Sequence, residues 1–306
     1  MPNFSTLLTK DNITAVAIGH FDGVHRGHKQ LLKRLGEFGG LVVIDQNKAN
    51  ITPKLKRAEY SNYPCFLYDF ESIKGLSGEE FIALLKRDFK NLKKIVVGFD
   101  FRFGRNRAWD KHDLKRIFDG EVVVVDEVCY DGMGVHSSSI RELIRQGNID
   151  EANRLIGREY SIEGNVIKGQ GIGAKELVAT LNLDIKSYLL PREGVYATRT
   201  RMGSYTYGSV TFIGNRLSTD GNFSVETHIL DEVAPKVTKH VAVCFIKRLR
   251  DNKKFNNLSE LKEQIKRDIN EARQCVGVCD LFFGETMRYF GGYGAGILEM
   301  KFLKSL

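Results

Sequence analysis

Along the first half of the chain, short apolar runs alternate with longer stretches in which apolar residues recur at helical spacing. The runs fall at residues 14–19, 41–44, 65–68, 94–98 and 121–128. Continuous apolar strands separated by helical segments predict a parallel sheet covered by helices, a doubly wound Rossmann-like α/β domain. Helices are predicted over 27–35, 81–92, 109–118 and 138–146, with Ser77 and Glu80 in capping-box spacing ahead of the second. Ligands of such sheets gather at the carboxyl ends of the strands.

After Gly157 the period changes from helical spacing to strict alternation. Residues 160–168, 195–202, 205–213, 223–230 and 241–249 read as strands, punctuated by the turn pairs Met202-Gly203 and Asp220-Gly221. They predict an antiparallel sheet or small β-barrel. A C-terminal helix follows, carrying Leu258, Leu261, Ile265 and Ile269 on one face, with Asn257 and Glu260 as its capping pair. The expected domains are therefore 1–157 and 158–306, with 275–306 an unassigned tail. No internal repeat or low-complexity segment interrupts either.

Composition narrows the picture modestly. A chain of 306 residues with 42% hydrophobic and 27% charged residues is globular and long enough for two cores. A formal charge of +8 favours polyanionic ligands, whether nucleotides, other phosphates or nucleic acid. No apolar run approaches the roughly 20 residues that span a bilayer, and the start of the chain lacks a signal-peptide core, so a cytoplasmic protein without membrane partners is expected. The five cysteines, Cys65, Cys129, Cys244, Cys275 and Cys279, are odd in number and scattered, against a disulfide framework.

The chemistry is concentrated in GHFDGVHRGH, from Gly19 to His28, between the first predicted strand and the first predicted helix. A helix N-terminus presents unpaired amides and the positive end of a dipole, a natural seat for phosphate. His25 and His28, three apart, share one face of its first turn. Gly19, Gly23 and Gly27 suit a sharp turn with close backbone approach to a ligand. A zinc reading of the histidine pair lacks any nearby Cys, Asp or Glu cluster to complete it. Two later stretches, VGFDFRFGR at 97–105 and GVHSSSIR at 134–141, also place basic, hydroxyl and aromatic side chains at a strand end and a helix start.

A strand, GxFDGxHxGH and a helix resemble the nucleotidylyltransferase signature, in the form found in bacterial bifunctional riboflavin kinase/FAD synthetases. The resemblance implies adenylyl transfer from MgATP to FMN in the first domain, with His25 and His28 as imidazolium transition-state stabilisers. It makes Gly19, Phe21, Asp22, Gly27, Ser137, Ser138 and Arg141 nucleotide contacts, and Asp100, Phe101 and Phe103 flavin contacts. His136 stands where this family usually has serine. The family's acidic or Pro-His-Pro turn after the second strand is missing from LVVIDQNKANITP.

In the second half the resemblance implies riboflavin phosphorylation. Gly169, in the glycine-rich turn, and Thr180 and Asn182 attend the nucleotide, the latter two also Mg²⁺, while Glu226 in FSVETHIL is the catalytic base and Arg250 a flavin contact. Ala179 and Leu217 replace family prolines. The implied partners are riboflavin, FMN and ATP. The alternatives left by the sequence are an adenylyltransferase with a degenerate kinase half, and a non-catalytic flavin- or RNA-binding regulator, against which the retained reactive residues argue.

Overall fold

A computed structural model describes residues 9–168, 178–218, 220–230 and 237–279. In chain order the first half runs β1 (Ala15–Gly19), α1 (Arg26–Leu32), β2 (Gly39–Asp45), α2 (Lys56–Ser61), β3 (Cys65–Asp69), α3 (Phe70–Ile73), α4 (Gly78–Asp88) and β4 (Lys94–Gly98). It continues with β5 (Arg102–Phe103), β6 (Trp109–Asp110), α5 (Lys111–Ile117), β7 (Glu121–Val125), β8 (Cys129–Tyr130), β9 (Met133–Gly134), α6 (Ser137–Gln146) and α7 (Ile149–Ile156).

The five long strands form one parallel sheet in the order β3-β2-β1-β4-β7. Both faces of the central strands are covered, which is why their sequences read as apolar throughout. Ala15, Ala17, Leu41 and Val43 meet Leu31 and Leu32 of α1 on one side. Val16, Ile18, Val42, Ile95 and Val97 meet Phe81, Ile82 and Leu85 of α4 and Leu114 of α5 on the other. Ser77 and Glu80 complete the predicted capping box.

The predicted helix over 109–118 is instead split. Trp109 and Asp110 pair with β5 as a short ribbon, and Asp110 then caps α5 by accepting from the amides of His112 and Asp113. The last strand stops at Val125, short of the predicted 128.

The second half comprises β10 (Tyr160–Ile167), β11 (Leu181–Asp184), β12 (Gly194–Met202), β13 (Tyr205–Asn215), β14 (Phe223–Ile229), β15 (His240–Arg250) and α8 (Leu258–Cys279). The strands close into a barrel in the order β10-β11-β14-β13-β12-β15. The sequence pattern misses β11, because four residues offer too few alternations, yet that strand bridges β10 and β14 and so closes the barrel. The interior is partly polar. Thr198, Thr200, Ser209, Thr211 and Thr227 are fully buried and their hydroxyls join in a ring, each contacting two others at 2.8–3.1 Å. A hydroxyl both donates and accepts, so a closed ring leaves none unsatisfied.

Gly157, left-handed at φ 78, ends α7 just before β10 begins. The helices α6 and α7, on the sheet side of that glycine, share one apolar cluster with barrel residues Tyr160, Ile162, Val243 and Phe245. Asn153 of α7 accepts from the Tyr160 amide at 2.6 Å and donates to the Phe245 carbonyl at 2.8 Å. The helix α8 lies across β12, β13 and β15, with Ile269, Ala272 and Val276 packed on Ala197, Val210 and Ile246.

Candidate functional site

The strand order reverses direction between β1 and β4, and a cavity of about 470 Å³ opens there, outside the carboxyl ends of β1, β2, β4 and β7. This is where a doubly wound sheet leaves room for a ligand. Gly19, Phe21, His25, Gly27 and His28 line it from the first loop, Asp100, Phe101 and Phe103 from the loop after β4, and Ser137 from the start of α6. Phe101 and Phe103 stack at 5.3 Å. The sequence motifs separated by more than a hundred residues thus meet around one space.

Within the first loop the two imidazoles stack face to face, with centroids 3.6 Å apart. His25 is the N-cap of α1, its Nδ1 accepting from the His28 amide at 3.4 Å. A Cβ on Gly27 would lie 3.1 Å from the His25 ring and 3.3 Å from the Val135 carbonyl, so a side chain at this position between the histidines would press on both.

The charge state differs from the sequence expectation of imidazolium. Burial, with His136, Arg158 and Arg141 nearby, lowers His25 to about pKa 3. His28 keeps some exposed surface, but its Nδ1 is enclosed without a hydrogen-bond partner, and desolvation, then His25, holds it well below the usual imidazole range. Both rings are neutral without an anion beside them, because desolvation disfavours the charged form. A bound polyphosphate is the counter-charge that would oppose this.

Asp22, Ser138 and Arg141 do not line the cavity. The Asp22 side chain, 2% exposed, accepts from the amides of Ile51 and Thr52 at 3.0 and 2.9 Å, from that of Asn50 at 3.3 Å, and from Arg141 Nη2 at 2.6 Å. Its oxygens are consumed in tying the histidine loop to residues 50–52 and to α6. Ser137 donates to the Asp22 carbonyl at 2.7 Å, closing the same clasp. From beyond Gly157, Arg158 donates to the Gly23 carbonyl at 2.8 Å while its guanidinium lies 3.9 Å over the Tyr60 ring. This support for the loop was not legible in sequence, since nothing local marks one arginine among many.

Other cavity residues are given no role in the sequence reading, even where they fall inside a motif. His20 lines the wall and its Nδ1 lies 2.7 Å from the Ile44 carbonyl. Lys74, Arg102 and Arg107 bring positive charge, and Asp126 and Glu127 negative charge.

A second cavity, of about 190 Å³, lies between the barrel mouth and α8. Val195, Val210, Phe212, Phe255, Leu261, Ile265 and Ile269 make it mainly apolar, while Thr180, Arg216 and Glu226 stand together on its wall. Thr180 Oγ1 donates to Glu226 at 3.4 Å, and Arg216 Nη1 donates to the other carboxylate oxygen at 3.2 Å. Asn182 does not line the cavity but is paired directly with Glu226 across β11 and β14, which puts the two side chains on one face. Arg250 lines the cavity while held by both oxygens of buried Asp268, at 2.8 and 2.7 Å, fastening α8 to the barrel. The apolar stripe of α8, readable as amphipathic in sequence, is thus a wall of this cavity. Gly169 lies outside the described residues.

Comparison with known proteins agrees with this two-site layout. The FAD synthetase family matches residues 8–40 and 45–139, and the riboflavin kinase family matches residues 156–276. The bifunctional riboflavin kinase/FMN adenylyltransferase of Escherichia coli (strain K12) is 28% identical over 291 residues, covering 86% of this chain and 93% of its own. That of Pseudomonas fluorescens is 29% identical over 283 residues, covering 84% and 91%. A crystal structure described as a macrolide-efflux protein from Streptococcus pneumoniae superposes with a TM-score of 0.76 at 28% identity, covering 85% of this chain and 94% of that one. Among the described residues here, no helix is long and apolar enough to cross a membrane.

Proposed function

Since the chain belongs to the bifunctional riboflavin kinase/FMN adenylyltransferase family, we infer that it phosphorylates riboflavin in its barrel and adenylylates the resulting FMN at its parallel sheet. Both reactions take ATP. The observation that carries the reading is the pair of built cavities, one at the strand-order reversal with the stacked histidines, the other at the barrel mouth with Thr180, Arg216 and Glu226. We place the division between the two domains at Gly157 and the protein in the cytoplasm.

At the parallel sheet, a phosphate oxygen of FMN attacks the α-phosphorus of ATP and pyrophosphate leaves. Catalysis of this kind is mainly in-line positioning and stabilisation of charge on the equatorial oxygens. We assign the Nε2 groups of His25 and His28 to that oxygen charge, and Ser137 with the amides at the start of α6, that of Ser138 included, to the departing phosphates. Asp22 is a positioning residue that aligns Arg141 and the loop. Asp100, Phe101 and Phe103 are assigned to the flavin side.

At the barrel, Glu226 is assigned as the base for the terminal hydroxyl of riboflavin, which must shed its proton as it attacks the γ-phosphorus. Among the described residues no cluster of three His, Cys, Asp or Glu could hold a metal alone. The oxygen donors of Thr180, Asn182 and Glu226 nevertheless suit Mg²⁺ carried in on ATP, since that ion keeps most ligands as water and phosphate. Bound there, it would neutralise phosphate charge. Ala179 and Leu217 leave the three polar groups together at the barrel mouth, and the reading keeps the kinase active.

Supplying the full-length protein with riboflavin, ATP and Mg²⁺ and separating the flavins tests the assignment. His28→Ala is expected to abolish FAD formation by about two orders of magnitude or more while FMN accumulates. Glu226→Gln is expected to stop FMN formation yet convert supplied FMN to FAD. Equal loss of both activities in either variant would contradict two separate sites.

A further inference from the structure

The wall of the parallel-sheet cavity holds an imidazole and carboxylate pair that the assignments above leave unused. His136 and Glu127 both line the space, and His136 Nε2 lies 2.8 Å from Glu127 Oε1. His136 directly precedes α6, and its side chain makes no capping hydrogen bond, so starting the helix does not occupy it. Its neighbour Ser137 lines the same cavity, which sets the ring beside the amides that suit a polyphosphate. The Phe99 ring lies 6.5 Å away, and His25 is near enough to feel its charge.

Adenylyl transfer separates pyrophosphate from the α-phosphorus, and the oxygen that leaves gains charge. The stacked histidines are poorly placed to relieve it with a proton, since desolvation disfavours their charged form and His25 Nδ1 already caps α1. We propose that His136, backed by Glu127, is a catalytic acid for the leaving pyrophosphate in this chain's adenylyl transfer. The inference rests on the adenylyltransferase reading given above.

In the step, an FMN phosphate oxygen forms its bond to the α-phosphorus as the bond from that phosphorus to the bridging oxygen breaks. The electron pair stays on pyrophosphate, which takes a proton from the imidazolium of His136. The ring is reprotonated by water at the cavity mouth, where its side chain is 41% exposed. The groups facing His136 are Glu127 from the loop after β7, Phe99 from the loop after β4 and His25 ahead of α1. Of these Glu127 supplies the counter-charge, while neutral His25 opposes nothing. Serine, usual in this segment of the family, can offer only a neutral hydroxyl.

The test follows FAD formation from FMN and ATP by full-length protein between about pH 6 and 9, a window spanning imidazole titration. Riboflavin phosphorylation in the same preparations reports folding. Wild type is expected to lose kcat on the alkaline side. His136→Ser is expected to lower kcat about tenfold near neutrality, with little change in KM for ATP and without the alkaline limb. Glu127→Gln, which keeps the imidazole but removes the carboxylate that holds it, is expected to lower kcat for FAD formation several-fold with little change in KM for ATP. Wild-type kcat and an unchanged pH profile in His136→Ser would overturn the proposal, as would wild-type kcat in Glu127→Gln. A wild-type protein that makes no FAD at all would instead overturn the underlying reading.

Discussion

Asp22→Asn separates the alignment of the first site from its chemistry. The substitution keeps the shape of a side chain that is 2% exposed and accepts three backbone amides plus one guanidinium hydrogen bond. An amide retains one acceptor oxygen and turns its NH₂ toward groups that are themselves donors. At least two charge-assisted bonds are then lost, each worth about 1.5–3 kcal/mol. Arg141, about a quarter exposed, recovers part of its share from water. The expected net cost is about 3–4 kcal/mol, a large fraction of a domain's stability. With a urea dependence of about 1–3 kcal/mol per molar, the midpoint should fall by more than 1 M.

The single tryptophan, Trp109, lies in the first half beside Phe103, so its fluorescence follows unfolding of that half alone. FAD formation should drop together with that midpoint, because residues 50–52, the histidine loop and α6 lose their common anchor. Riboflavin phosphorylation should persist. An unchanged midpoint with FAD formation within twofold of wild type would refute the claim that Asp22 is a buried clasp.

Three further outcomes follow from the same geometry. His25 has its pKa depressed in the folded protein to about 3 from 6.5, so unfolding takes up a proton as pH falls through that interval. Its stabilising contribution is full above about pH 6.5 and declines by about 1.4 kcal/mol per pH unit toward pH 3; urea midpoints of Trp109 fluorescence against pH should show this, less steeply in His25→Asn. Thr211→Val breaks the barrel's hydroxyl ring and leaves Thr198 and Thr227 each one partner short, for a cost of about 1–3 kcal/mol in barrel unfolding; a heat-inactivation midpoint of kinase activity equal to wild type would disprove the ring. Asp268→Asn removes one charge of the Arg250 pair that ties α8 to the barrel, and should raise KM for riboflavin more than it lowers kcat, which initial-rate kinetics would read directly.

Much of this architecture is written locally. The β1, β4 and β7 runs are apolar on both faces, which only a covered parallel sheet satisfies, and the alternation after Gly157 can only be a sheet with one face in a core. The motif GHFDGVHRGH is equally legible, because its glycine positions answer a local demand. The Gly27 site lies against the His25 ring and a carbonyl. Local reading fails where an element is short or its partner is remote: four-residue β11 shows no period, yet the barrel does not close without it.

Charge and alignment at the sites were decided by the tertiary structure alone. A histidine's protonation depends on what surrounds it in space, and only the packed loop shows two stacked rings held neutral by desolvation. Asp22 reads as one residue of a nucleotide-binding turn until the fold delivers residues 50–52 and Arg141 to its oxygens. Arg158 is one basic residue among 46 until the chain's return brings it against Gly23 and Tyr60. Residue pattern determines which segments become strands, helices and tight turns, because those preferences act over a few residues. Which side chains share a dielectric, a counter-charge or a hydrogen bond depends on distances that form only when the chain closes on itself.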